Sequence, residues 1–130
     1  VAPVEGQIIP LTEVKDQVFS TGMMGQGFGV IPSKGVLTAP ADAEVTVAYE
    51  TGQAIGLTTT AGAEVLLHIG LDTVMLKGQG FDVKVKQGQF VKAGDVLVEF
   101  DKAQIEKAGY DTTVICVVTD PHDVKVNLPK

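Results

Sequence analysis

Glu64-Val-Leu-Leu-His-Ile69 is the stretch on which the fold turns. Side chains on an extended chain alternate between faces, so Val65, Leu67 and Ile69 share one face and Leu66, His68 and Gly70 the other. The Val-Leu-Ile face is the obvious core face. His68 then points the opposite way, beside an apolar Leu66 and a glycine that leaves space above the backbone. Working outward, Ala54–Thr60, Val96–Phe100 and Thr113–Val118 are short segments of the same composition, rich in Val, Ile and Thr, in a chain with 15 Gly. Glu44-Val-Thr-Val-Ala-Tyr49 alternates cleanly and predicts Val45, Val47 and Tyr49 on one face. Many short strands at close spacing predict an all-β sandwich or barrel in a single domain over residues 1–130.

One short helix interrupts the strands. Asp101 is placed to cap it, Gln104 sits at the third position, Ile105 and Ala108 form the apolar stripe, and Gly109 suits the left-handed position past the end. A second helical turn is expected near Glu13–Phe19. The chain also repeats itself. Ala2–Ile8 resembles Ala39–Val45, and Gln26–Val30 resembles Gln53–Leu57, with Gly35 then matching Gly62. The two matches need different offsets, so the first copy carries an insertion between its strands. A duplicated β-unit, folded face to face, is the expected result.

Composition narrows the chemistry. The 130 residues hold 16 acidic and 10 basic side chains, for a net charge of −6, and every basic residue is Lys. Nucleic acid and anionic membranes select clustered positive charge, which this chain lacks. One cysteine, Cys116, forms no internal disulfide; it alternates with Val114 and Val118 and predicts a buried, inert thiol. Two histidines and one cysteine are too few for an ordinary zinc site. His122, in a turn-rich polar segment, is expected to be a surface histidine without a role. No apolar run nears the roughly 20 residues of a spanning helix. The opening Val-Ala-Pro-Val-Glu carries no signal-peptide features, and its missing Met suggests a processed chain or a domain cut from something longer. P-loop, dinucleotide-fingerprint and nucleophile-elbow spacings are absent.

His68 is therefore the candidate reactive group. A titratable ring on a part-apolar, uncrowded surface suits a nucleophile that meets another protein. The residue pattern alone favours the plainer reading, a half-exposed histidine with no role.

Leu67-His-Ile-Gly-Leu-Asp-Thr-Val74, followed by Lys77-Gly-Gln-Gly-Phe81, resembles the glucose-type enzyme IIA family of the bacterial phosphoenolpyruvate:sugar phosphotransferase system. Further matches are Asp16–Phe19, Met23–Phe28, Glu50–Gly56, Val91–Leu97 and Ala108–Thr113, so the resemblance spans nearly the whole chain. It implies an antiparallel β-sandwich with a duplicated hybrid motif, in agreement with the internal repeat. It implies that His68 accepts phosphate from the phosphocarrier HPr and passes it to a cysteine of the permease IIB domain, with no cofactor beyond the phosphate carried on His68. Thr51 and Asp72 match family positions around the acceptor, and Val18, Phe19, Met23, Met24, Tyr49 and Leu66 match an apolar docking rim. A cytoplasmic setting, free or as a domain of a membrane-bound permease, follows from the resemblance; regulation of other transporters or enzymes by binding is left open by the sequence.

One departure stands out. The family carries a second histidine where this chain has Gln53, within Glu50-Thr-Gly-Gln-Ala54. An amide can donate to a phosphate oxygen but cannot take a positive charge or change protonation. Acceptance at His68 is expected to survive, while onward donation is in doubt. Gly25-Gln26-Gly27 also replaces the family's Gly-Asp-Gly. Two other readings compete. Gln53 suits a regulatory domain that senses phosphorylation. Val85–Ala103 resembles a lipoyl or biotinyl domain down to Asp101-Lys102-Ala103, with Lys102 as the modified residue. The helix expected after Asp101 argues against the latter, because such a lysine sits at a hairpin tip.

Overall fold

Glu64–Ile69 forms a strand, β6, at the middle of a seven-stranded sheet, and its alternation is as the sequence predicts: Val65, Leu67 and Ile69 are buried, Leu66 and His68 half-buried. The computed structural model describes residues 6–10, 26–49, 52–70 and 80–120. Within them lie β1 (Gly6–Pro10), β2 (Gln26–Pro32), β3 (Val36–Thr38), β4 (Ala43–Ala48), β5 (Ala54–Thr59), β6, β7 (Phe81–Val83), β8 (Phe90–Val91), β9 (Val96–Phe100), a helix α1 (Lys102–Lys107) and β10 (Val114–Asp120). The large sheet runs β1-β2-β10-β6-β5-β4-β8 and the small one β3-β9-β7. All the pairings are antiparallel.

The two sheets share one core. Val30, Val45, Ile55, Leu57, Leu67, Ile69 and Val114 from the large sheet meet Leu37, Leu97, Val98 and Phe100 from the small one. This is the two-layer solution for sheets that are apolar on a shared side. The expected duplication is visible in the register. In the first hairpin Ile8 pairs with Val30, and in the second Val45 pairs with Leu57. These four are the residues that the internal repeat equates. The hairpins do not lie face to face as expected. They occupy the same sheet, one on each side of the central β10–β6 pair.

A second difference lies in β4. Val45 is fully buried, but Val47 is 42% and Tyr49 48% exposed. The register with β5 shifts between Val45 and Val47, so a bulge at Thr46 turns the rest of the strand over. Pattern reading assumes an unbroken pleat, and one inserted residue reverses every later side chain.

The helix follows its predicted ends. Asp101 accepts a bond from Gln104 N at 3.0 Å, Ile105 is fully buried, and Gly109 has φ +91°. Asp101 N donates to the Gly80 carbonyl at 2.7 Å, so the cap is one-sided. Ala108 is the exposed C-cap and not part of the stripe. Lys102 stands in the first turn of α1, away from any hairpin tip. The helical turn expected at Glu13–Phe19 and the role expected of His122 fall outside the described residues.

Leu67 is fully buried, so Leu67→Ala should lower the unfolding free energy by about 2–5 kcal/mol in chemical denaturation. Glu99 lies 3.8 Å from Lys84 with both side chains exposed to water, and Glu99→Ala should change stability by no more than about 0.5 kcal/mol.

Candidate functional site

The outer face of the large sheet carries the candidate chemistry. Residues directly opposite across antiparallel strands share a face. One row runs Ala54, His68, Ile115, Gly29, Ile9 across β5, β6, β10, β2 and β1. The next runs Val47, Gly56, Leu66, Val117, Gly27 across β4, β5, β6, β10 and β2. Small residues stand in several positions of both rows, so little side-chain bulk from the sheet itself crowds the His68 ring, although Ala54, Ile115 and Val117 are buried and His68 half-buried. Leu66 packs with Ile9, Ile115 and Val117 into an apolar cluster separate from the core. Ile115 and Val117 were not among the site candidates in the sequence. The signal for them is β10 itself, apolar on both faces from Val114 to Val118, which marks a strand covered on both sides.

His68 is held by its own strand's exit. Gly70 takes φ +75°, a left-handed turn that closes β6, and its carbonyl lies 2.8 Å from His68 Nδ1. A carbonyl oxygen only accepts, so Nδ1 carries the proton and the neutral ring's lone pair lies on Nε2. The Gly70 N–H in turn donates to the Thr113 carbonyl at 2.9 Å. The sequence placed Gly70 beside His68 as empty space; its backbone turns out to be a ligand for the ring.

Gln53 lies at the start of β5. Its carbonyl accepts the Ile69 N–H at 2.7 Å, and Ala54, next in sequence, pairs with His68. Gln53 is 2% exposed, whereas His68 is half-buried. The turn before it is tight. Gly52 N donates to the Tyr49 carbonyl at 2.9 Å, Tyr49 N donates to the Ala54 carbonyl at 3.2 Å, and Gly52 has φ +82°. A Cβ on Gly52 would stand 2.6 Å from the Phe81 Cβ, so only glycine lets this turn pack against β7. The structure thus brings His68, Gln53 and Leu66 to neighbouring strands, with Tyr49 exposed at the end of β4. Thr51, Asp72, Val18, Phe19, Met23 and Met24 lie outside the described residues.

Cys116 faces the core from β10 and takes no part in this face. Burial pushes its thiol up to about 12. Among the described residues no group of three His, Cys, Asp or Glu is placed to hold a metal ion, and no helix is long and apolar enough to cross a membrane.

The fold is a two-sheet antiparallel sandwich with one half-buried histidine on the outer, part-apolar face of its large sheet. The family model for the phosphoenolpyruvate-dependent sugar phosphotransferase system, EIIA 1, matches residues 1–124, and the chain belongs to that family. It is 48% identical over 119 residues to the beta-glucoside-specific EIIBCA component of Bacillus subtilis (strain 168), covering 92% of this chain and 20% of that protein. It is 44% identical over 125 residues to the glucose-specific EIIA component of Oceanobacillus iheyensis, covering 96% and 76%. The solved glucose permease IIA from Mycoplasma capricolum superposes with a TM-score of 0.89 at 41% identity, over 99% of this chain and 84% of that one. The chain spans about one fifth of the length of the EIIBCA relatives it matches.

The thiol generates a test of the fold around the site. At pH 8 Cys116 should resist iodoacetamide in the folded protein and react readily once denaturant is added. Because the folded thiol titrates above its ordinary value of 9.0, unfolding should become easier as pH rises above about 9 toward 12, read from denaturation midpoints.

Proposed function

We propose that His68 is the phosphoryl acceptor of this EIIA domain, receiving the group at Nε2 from HPr and presenting it to a cysteine of a IIB domain. The observation that carries this reading is the 2.8 Å bond between His68 Nδ1 and the Gly70 carbonyl. It commits one ring nitrogen to the backbone and leaves the lone pair on the other, as a nucleophile requires. In the transfer, the Nε2 lone pair forms a bond to phosphorus while the phosphorus–nitrogen bond on the donor histidine breaks and its electron pair returns to the donor ring. Onward transfer replaces the new bond with one to a cysteine thiolate, and Nε2 recovers its pair. Little else is asked of the protein than position and charge stabilisation. Ala54, Gly29 and Gly56 keep side-chain bulk low on the strands around the ring, and Leu66 with exposed Val47 and Tyr49 supplies apolar docking surface. Kinship with EIIBCA proteins, in which matching domains share a chain with the B and C components, supports a IIB recipient.

Gln53 favours a second reading for the onward step. A buried amide beside the acceptor strand can donate a hydrogen bond to phosphate but cannot follow a changing charge with a proton. The domain would then load readily and discharge slowly, the behaviour of a phosphorylation sensor. A swinging-arm carrier is disfavoured by Lys102, which lies in α1 behind a capped Asp101.

Incubation with phosphoenolpyruvate, enzyme I and HPr should add one acid-labile phosphate, measured by intact mass at neutral and acid pH. His68→Ala should take up none; labelling that persists in this variant places the acceptor elsewhere. Gln53→His should speed passage of phosphate to a IIB domain in single-turnover transfer while leaving loading from HPr similar. An unchanged passage rate would remove Gln53 as the limiting residue.

A further inference from the structure

The ring of His68 is oriented by a glycine peptide, and glycine is the residue least able to hold itself still. Gly70 lies past the end of β6, at φ +75°, where the strand ladder stops. Its N–H is held by the Thr113 carbonyl at 2.9 Å. Thr113 itself precedes β10, in a link from Gly109 to Thr113 that belongs to no strand. What fixes Thr113 is Asp111. One carboxylate oxygen, Oδ1, accepts the Thr113 N–H at 2.8 Å and the Thr113 hydroxyl at 2.6 Å. Thr113 is 6% exposed, so the donor side of both bonds is buried, and both are charge-assisted bonds to a carboxylate. A continuous series of bonds therefore runs from an exposed carboxylate to the reactive ring: Asp111 to Thr113, Thr113 to the Gly70 N–H, and the Gly70 carbonyl to His68 Nδ1.

We propose that Asp111 is a positioning residue for His68, acting through Thr113 and the Gly70 peptide to hold the ring with its proton on Nδ1 and its lone pair on Nε2. The catalytic part of the proposal rests on His68 being the phosphoryl acceptor; the ring's tautomer does not. Without Asp111, Thr113 loses two anchors on one atom, and the peptide that selects the tautomer gains freedom to rotate. The Nε2–H form then competes, and that form has its lone pair aimed at the backbone instead of at an incoming phosphoryl group. A misplacement of this kind lowers rate without changing the reacting atoms.

The test pairs a structural readout with a kinetic one, using the whole chain. Nitrogen-15 NMR of the His68 ring reports the tautomer, phosphorylation by phospho-HPr reports the rate, and thermal melting reports stability. In Asp111→Ala the Nε2–H form should grow and loading should fall about tenfold. Asp111→Asn keeps a carbonyl oxygen at the same place and should restore most of both. Thr113→Val removes the hydroxyl bond alone and should fall between. A lower melting point in Asp111→Ala with unchanged tautomer and unchanged rate would make Asp111 a purely structural cap and overturn the proposal. If the alanine variant does not fold, an unshifted tautomer in Thr113→Val overturns it equally. Failure of the wild-type chain to take phosphate would refute the acceptor reading, whereas a tautomer unmoved by these changes would refute the positioning role.

Discussion

The antiparallel ladder between β6 and β10 is the constraint from which the rest follows. Its register sets Val114 against Ile69, Ile115 against His68, Cys116 against Leu67 and Val117 against Leu66. Every second pair faces the shared core, and the pairs between face outward. A slip of one residue would bury His68 among aliphatic side chains and expose Leu67 and Ile69 to water. The hydrophobic free energy of the core and the presentation of the candidate acceptor are thus one decision, taken by one pairing.

The two related hairpins frame this pair. Each lies beside one of the central strands, so the outer face around His68 is bounded by a strand from each copy, β5 on one side and β2 beyond β10 on the other. Ala54 and Gly56 come from one copy and Gly27 and Gly29 from the other. Small residues at matched places on both sides keep side-chain bulk low on the strands around the ring. The 0.89 TM-score to a glucose permease IIA agrees with this two-sheet architecture.

Much of the fold is legible in period-2 patterning. The strands at 44–49, 54–60, 64–69, 96–100 and 113–118 and the capped helix at 101–109 were readable because short apolar runs bounded by glycine and polar residues have few other uses. Val47 and Tyr49 were not, since a bulge at Thr46 is a backbone event with no side-chain signature. Of the candidate site, His68 and Leu66 were legible from alternation and Gln53 from resemblance. Ile115, Val117, Thr113 and Asp111 were missed because their relation to His68 crosses some 45 residues of chain and exists only through strand pairing and hydrogen bonds.

By itself the sequence determined which residues could face a core, which single ring could act as a nucleophile and which family the chain resembles, because those follow from local alternation, residue chemistry and motif. Tertiary structure alone decided which of the two ring nitrogens keeps its lone pair. That choice is made by a carbonyl two residues away, turned into place by a left-handed glycine and tied to the residue that precedes a neighbouring strand. No pattern of side chains along the chain encodes a backbone hydrogen bond of that kind; only the register of β6 on β10 brings its parts together.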